Sequence, residues 1–161
     1  MHSKPTIRSV GADEWRRVGE LGELLVRRHH GFDRSRFIPP SALRAEDYVA
    51  RVREELIGGN ATVDVALVND RIVGYVFAGI EPESWKELRP QAGYIHDLVV
   101  DEAHRHAGIG RALVTAALDW FAARGVHRVM LWTAPWNEDA RRLFDRLGFR
   151  HTMIEMTLDL A

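Results

Sequence analysis

The sequence predicts an α/β layer fold around a mixed sheet, and three observations carry the prediction. Strand-like and helix-like segments alternate through the C-terminal half, and two β-branched runs flank "ND" at 69–70. A glycine-rich stretch, "RHAGIGR" at 105–111, joins an apolar strand to an amphipathic helix. With 161 residues, 46% hydrophobic and 28% charged, the chain has the length of one domain able to bury a sizeable core, so a single domain over 1–161 is expected.

"TIRSV" at 6–10 reads as a short strand. "ADEWRRVGELGELLVRRHH" at 12–30 then places Trp15, Val18, Leu21 and Leu25 near helical spacing, with Asp13 or Glu14 in the first turn. Gly19 and Gly22 each cost about 1 kcal/mol against alanine in a helix interior, so this helix is expected to be bent or closely packed. Gly31 and Pro39-Pro40 make 31–42 a loop, "ALRAEDYVARVREELI" at 42–57 resumes helical spacing, and "GGN" at 58–60 stops it. "ATVDVALV" and "RIVGYVFAGI" around Asn69-Asp70 form an antiparallel hairpin. The polar stretch 81–93 is a surface loop.

"YIHDLVV" at 94–100 is the next strand. After the glycine stretch, Leu113, Ala117, Trp120 and Phe121 share a helical face that Gly125 can end. "HRVMLW" at 127–132 reads as a buried strand. In 137–149, Ala140, Leu143, Phe144 and Leu147 fall at helical spacing, with Asn137 as N-cap and Gly148 at the end. "RHTMIEMTLDL" at 150–160 reads as a last strand, whose alternating apolar residues suit a sheet edge or a homodimer interface.

Composition excludes several classes of function. Twenty-two basic and 23 acidic residues leave a net charge of -1, too little to recruit nucleic acid or an anionic membrane. No apolar run approaches the ~18 residues of a membrane span, and "MHSKPTIRSV" lacks a secretory apolar core, so a soluble cytoplasmic protein is expected. Without cysteine there is no disulfide, thiolate metal site or cysteine nucleophile. His29-His30 suit a helix end, and neither they nor His104 and His106 have a carboxylate at ligand spacing, so no metal is expected.

Gly108 and Gly110 let a ligand approach the backbone, and the helix beginning near Ile109 brings its positive end to the same place. That is a seat for a pyrophosphate, with Arg105 and Arg111 beside it. A Walker loop would need Gly-Lys-Ser/Thr, and a Rossmann turn a third glycine and a downstream acid; both are missing.

Joined to its flanks, "DLVVDEAHRHAGIGRALVTAALDWFAARGVHRVMLWTAPWNEDARRLFDRLGF" resembles the GCN5-related N-acetyltransferases, the GNAT superfamily. Arg-x-x-Gly-x-Gly is that family's pyrophosphate signature, and "WNEDARRLFDRLGFR" and the order of elements extend the resemblance over most of the chain. It implies a mostly antiparallel central sheet with a V-shaped splay, about four flanking helices, and transfer of acetyl from acetyl-CoA to an amine. It also implies that Leu98, Val99 and Val100 bulge from the neighbouring strand, with the Leu98 and Val100 amides serving the acetyl carbonyl and pantetheine arm. His106, Ala107, Gly108, Ile109, Gly110 and Arg111 would hold the pyrophosphate, Asn137 the cofactor arm, and Phe144 the thioester pocket. Trp85 and Phe37 lie in the loops that border the family's acceptor site.

Acetyl transfer to an amine needs a base, because an alkylammonium is mostly protonated at pH 7. Period-two alternation puts Tyr94, His96 and Leu98 on one strand face and Asp97 on the other, so His96 is the first candidate base. Asp97, Glu81 and Asp64 are the alternatives. Phe144 stands where many family members carry a proton-donating tyrosine, which leaves Tyr94, or an unassisted thiolate, to complete the reaction. Trp120, Phe121, Trp132 and Trp136 read as core, with Trp136 near the cofactor cleft. With no cysteine, attack would be direct, in a ternary complex. Two rival readings share the cleft: a non-catalytic acyl-CoA sensor and a transferase of longer acyl groups.

Overall fold

The computed structural model describes residues 4–160, so the start of the segment read for a leader lies outside it. Its elements are β1 (Thr6–Ser9), α1 (Trp15–Phe32), α2 (Ala45–Glu55), β2 (Ala61–Val68), β3 (Arg71–Glu81), β4 (Ala92–Val100), α3 (Ile109–Ala122), β5 (Val129–Met130) and α4 (Glu138–Arg146). The strands form one open sheet in chain order. β1 to β4 are antiparallel, and β5 joins β4 in parallel. The expected hairpin turn is made by Asn69 and Asp70, both at positive φ, the conformation a tight β2–β3 connection requires.

Two apolar layers sandwich the sheet. On one face Ile109, Leu113, Ala117 and Phe121 of α3 and Phe144 of α4 pack on Val76, Ala78 and Ile95. On the other, Val18 and Leu21 of α1 and Tyr48 and Val52 of α2 cover Val63, Tyr75, Phe77 and Val99. Gly19 and Gly22 of α1 prove to be points of close packing on α2: a Cβ on Gly19 would lie 2.9 Å from Val49 Cγ2, and one on Gly22 2.6 Å from Tyr48 Cε1. That approach brings the Tyr48 ring close against α1, and its hydroxyl reaches both Tyr75, at 2.5 Å, and Asp97. Arg17 pins α1 to the end of β4 through Asp101, 3.0 Å away, and the Ile72 carbonyl.

β4 and β5 meet at only two residue pairs, Gly93 with Val129 and Tyr94 with Met130. Beyond Tyr94 the outer edge of β4 is open, which is the expected splay. "HRVMLW" is therefore a two-residue, half-buried strand and not a buried one, because the strands diverge before more pairs can form. "RHTMIEMTLDL" forms no strand at all. Met153, Ile154, Met156, Leu158 and Leu160 are exposed, and alternation alone makes no strand without a neighbour to supply the ladder. Glu155 instead pairs with Arg36 in the α1–α2 connection, through a 2.9 Å contact from Nη2.

Candidate active site

The glycine stretch leads into α3 through residues that expose the backbone. His106 and Gly108 both adopt positive φ, 63° and 79°. A left-handed histidine is uncommon, and such strain persists where the surroundings hold it. Left-handed residues at alternate positions turn successive N–H groups into a concavity suited to an anion. Among the described residues, none of the six amides from His106 to Arg111 donates a hydrogen bond to the protein; the first donor of the helix is Ala112, to the Gly108 carbonyl at 3.0 Å. A Cβ built on Gly108 would meet nothing within 4 Å, so the space in front of these amides is clear. Arg105 stands beside them, its Nε donating to the Val100 carbonyl at 3.2 Å. Asn137 is the expected cap of α4, accepting from the Ala140 amide at 3.4 Å.

Upstream, the β3–β4 ladder contains the irregularity that shapes the site. Phe77 pairs with Asp97 and Ala78 with Ile95, so His96 is an extra residue, a β-bulge. The bulge lies at His96 and not at 98–100, where Leu98, Val99 and Val100 stay paired with Val76, Tyr75 and Gly74. The Asp101 amide donates to Val73 of β3 at 2.7 Å; counting back by twos turns the Leu98 and Val100 amides away from β3, toward the open side of β4.

The bulge also overturns the facing read from strict alternation. His96 stacks on Phe77, 4.7 Å between ring centroids, on the α1/α2 side, whereas Leu98 packs with the α3 core. Asp97 comes to the α1/α2 side as well, beneath Tyr48 and Tyr75. Burial holds its carboxyl above the ordinary aspartate range, opposed by the hydrogen bond from Tyr48. Asp97 is thus engaged in an internal network with Tyr48 and Tyr75. Asp64 is buried elsewhere, away from the His96 cavity, accepting from Ser9 Oγ at 3.0 Å.

His96 Nε2 lies 3.2 Å from Glu81 Oε1, so the two candidates read as alternatives form a pair. They line a cavity of about 280 Å³ together with Tyr94, Ile95, Glu87, Arg89 and Trp132. Tyr94 stacks on His96 and meets Trp132 edge-on at 5.9 Å. Its hydroxyl is buried without a hydrogen-bond partner, and burial pushes its pKa up to about 12. The pocket therefore combines a base-type pair, a protonated phenol and an aromatic wall. A further concavity between α1 and the Pro40–Ala42 turn, lined by Glu23, Arg27, Pro40 and Ser41, holds no such combination.

Other expected residues fall outside the cavity. Trp85 is exposed over Lys86, and Phe37 packs edge-on against His29 of α1. Phe144 is buried in the α3/α4 core, edge-on to Phe149. Phe121 is core as read, but Trp132 and Trp136 are exposed, 71% and 59%. Glu87, Arg89 and Trp132 were missed: a local bridge of Ser84 with Arg89 tightens the 81–93 loop, and the loop's Glu87 and Arg89 line the cavity with Tyr94 and His96, a placement that composition does not report. Among the described residues no three His, Cys, Asp or Glu side chains gather as a metal site, and no helix is long and apolar enough to cross a membrane.

The chain is 34% identical over 90 residues to the glucosamine 6-phosphate N-acetyltransferase of Trypanosoma brucei brucei, covering 56% of this chain and 58% of that protein. It is 31% identical over 144 residues to an uncharacterized N-acetyltransferase of Methanocaldococcus jannaschii, covering 89% and 60%. The chain thus spans less than two thirds of the length of these curated relatives. In fold it is similar to the aminoglycoside N-acetyltransferase AAC(6')-Iy solved with CoA, with a TM-score of 0.77 at 17% identity over 99% of this chain and 97% of that one. Residues 20–149 match the model described as the acetyltransferase (GNAT) family. The chain belongs to the acetyltransferase (GNAT) family.

Proposed function

We propose that this protein transfers the acetyl group of acetyl-CoA to a primary amine by direct attack in a ternary complex. The observation that carries the reading is the run of six unpaired amides from His106 to Arg111 at the start of α3. Unmet backbone donors at a helix N-terminus favour a phosphate, and this run opens beside the splay of β4 and β5, where a thioester arm can lie along β4. The amides of Leu98 and Val100, turned to that side, serve the acetyl carbonyl and the arm. Relatives and fold neighbours named for glucosamine 6-phosphate and aminoglycosides support an amine acceptor.

The acceptor enters the cavity around His96. Glu81 orients the imidazole, and His96 takes the proton that the amine must lose as its nitrogen forms a bond to the carbonyl carbon. The C–S bond breaks and the thiolate takes a proton from the Tyr94 phenol as the proton gathered by His96 returns to that phenol, because a phenol with a pKa of about 12 is a weaker acid than a thiol and does not stay ionised. Trp132 walls the acceptor side. No covalent acyl-enzyme is needed, since every proton transfer has a group within the cavity.

CoA release, followed with a panel of amines that includes amino sugars, tests this reading. Turnover on at least one amine is expected. Tight acetyl-CoA binding with no release on any amine would make the protein an acyl-CoA-binding module, and faster release from longer acyl-CoAs would move it to a different transfer.

A further inference from the structure

Arg28 of α1 is a half-buried cation with no carboxylate within 4 Å among the described residues. Its Nη2 instead donates to Asn137 Oδ1 at 3.4 Å, a long bond to an oxygen already shared with the Ala140 amide. This contact carries α1 across to the cap of α4. Its stem is steadied from its own helix, with the guanidinium 5.7 Å from the Phe32 ring centroid.

Burial first, and then repulsion from Arg105, pull the Arg28 pKa below the ordinary arginine range, with Asp139 and Glu102 opposing the shift. Arg105 is itself fixed at the root of the glycine loop by the Val100 carbonyl, and its nearest carboxylate is the solvent-exposed Glu102 at 3.9 Å. Arg28 reaches the cap of α4 from α1 and feels the charge of Arg105, which sits at the root of six unmet amides; an anion held there could accept from all of them.

We propose that Arg28 completes the phosphate site from the opposite wall, its side chain exchanging the bond to Asn137 for the pyrophosphate oxygens of the acyl-CoA. The assignment rests on the acetyl-CoA reading above. Pyrophosphate is favoured over the 3′-phosphate because Arg105, the neighbour of Arg28, opens the pyrophosphate loop itself. Released from Arg28, Asn137 keeps its capping bond to Ala140 and is free to face the cofactor arm.

Calorimetry on Arg28→Gln and Arg28→Lys with three probes tests the proposal: acetyl-CoA, its 3′-dephospho form, and an acetyl-pantetheine thioester without phosphates, the last read by competition with CoA. The glutamine variant is expected to bind acetyl-CoA and the dephospho form about tenfold more weakly, with the lysine variant between it and wild type, while the phosphate-free thioester binds all three proteins equally. Unchanged acetyl-CoA affinity in Arg28→Gln would overturn the proposal. So would an equal loss on the phosphate-free thioester, which would assign Arg28 to α1–α4 architecture, or a loss that vanishes with the dephospho form, which would assign it to the 3′-phosphate. A rise confined to the KM of a phosphorylated acceptor would overturn it too. If wild-type protein itself takes no acetyl-CoA, the underlying reading fails; if wild type binds and Arg28→Gln binds as tightly, only the Arg28 assignment fails.

Discussion

Gly108→Val is expected to weaken acetyl-CoA binding by about 100-fold, the sum of several lost charge-assisted hydrogen bonds. Gly108 lies at φ 79°, where a β-branched residue is strained, and its absent side chain leaves open the space in front of the loop amides. Valine there both strains the loop and fills the approach to the amides. The strain alone costs roughly 1–2 kcal/mol, which lowers the melting temperature by ~2–8 °C in a chain of this length. Gly125 provides the control: it also has a left-handed φ, 70°, with nothing within 4 Å of its Cβ position, but it sits beyond the other end of α3. Gly125→Val is expected to lose similar stability and no affinity. Equal affinities in the two variants would reduce the glycine loop to a connection.

His96→Ala is expected to lower kcat by about 10²- to 10³-fold at neutral pH and to leave the Kd for acetyl-CoA near wild type, because the imidazole faces the acceptor cavity and not the loop. The deficit should shrink as pH rises toward the pKa of the acceptor amine, where free amine no longer needs a base. Tyr94 sets the other limb. A group that stays protonated up to about pH 12 remains able to donate at every lower pH, so the wild-type profile should rise with pH and show no fall from Tyr94 below that value. Glu81→Gln should give a smaller loss than His96→Ala, as expected for a residue that acts through its neighbour. A larger loss in Glu81→Gln would make the carboxylate the base.

Much of this architecture was legible in local pattern. Helical spacing located α1 to α4, Asn69-Asp70 located the hairpin, and Asn137 announced the start of α4. The glycine loop was equally readable, since positive φ at Gly108 and a helix beginning at Ile109 are local consequences of those residues. What escaped was long-range. One extra residue in β4 changes no composition or period that a reader could notice, yet it moves His96 and Asp97 to the same face and separates His96 from Leu98. The last strand failed for a similar reason: Ile154, Met156, Leu158 and Leu160 alternate well, but a strand also needs a partner, and β5 ends after two residues. Trp132 looked like core because tryptophan usually is; the divergence of β5 from β4 leaves it facing the cavity instead.

Amide NMR during titration with acetyl-CoA tests the central claim most directly. Hydrogen bonds from the loop to a pyrophosphate should shift the amide protons of Gly108, Ile109, Gly110 and Arg111 downfield, with Leu98 and Val100 moving in the same titration and Gly125 unmoved. Binding that leaves the 106–111 amides in place, or no binding at millimolar acetyl-CoA, would contradict it.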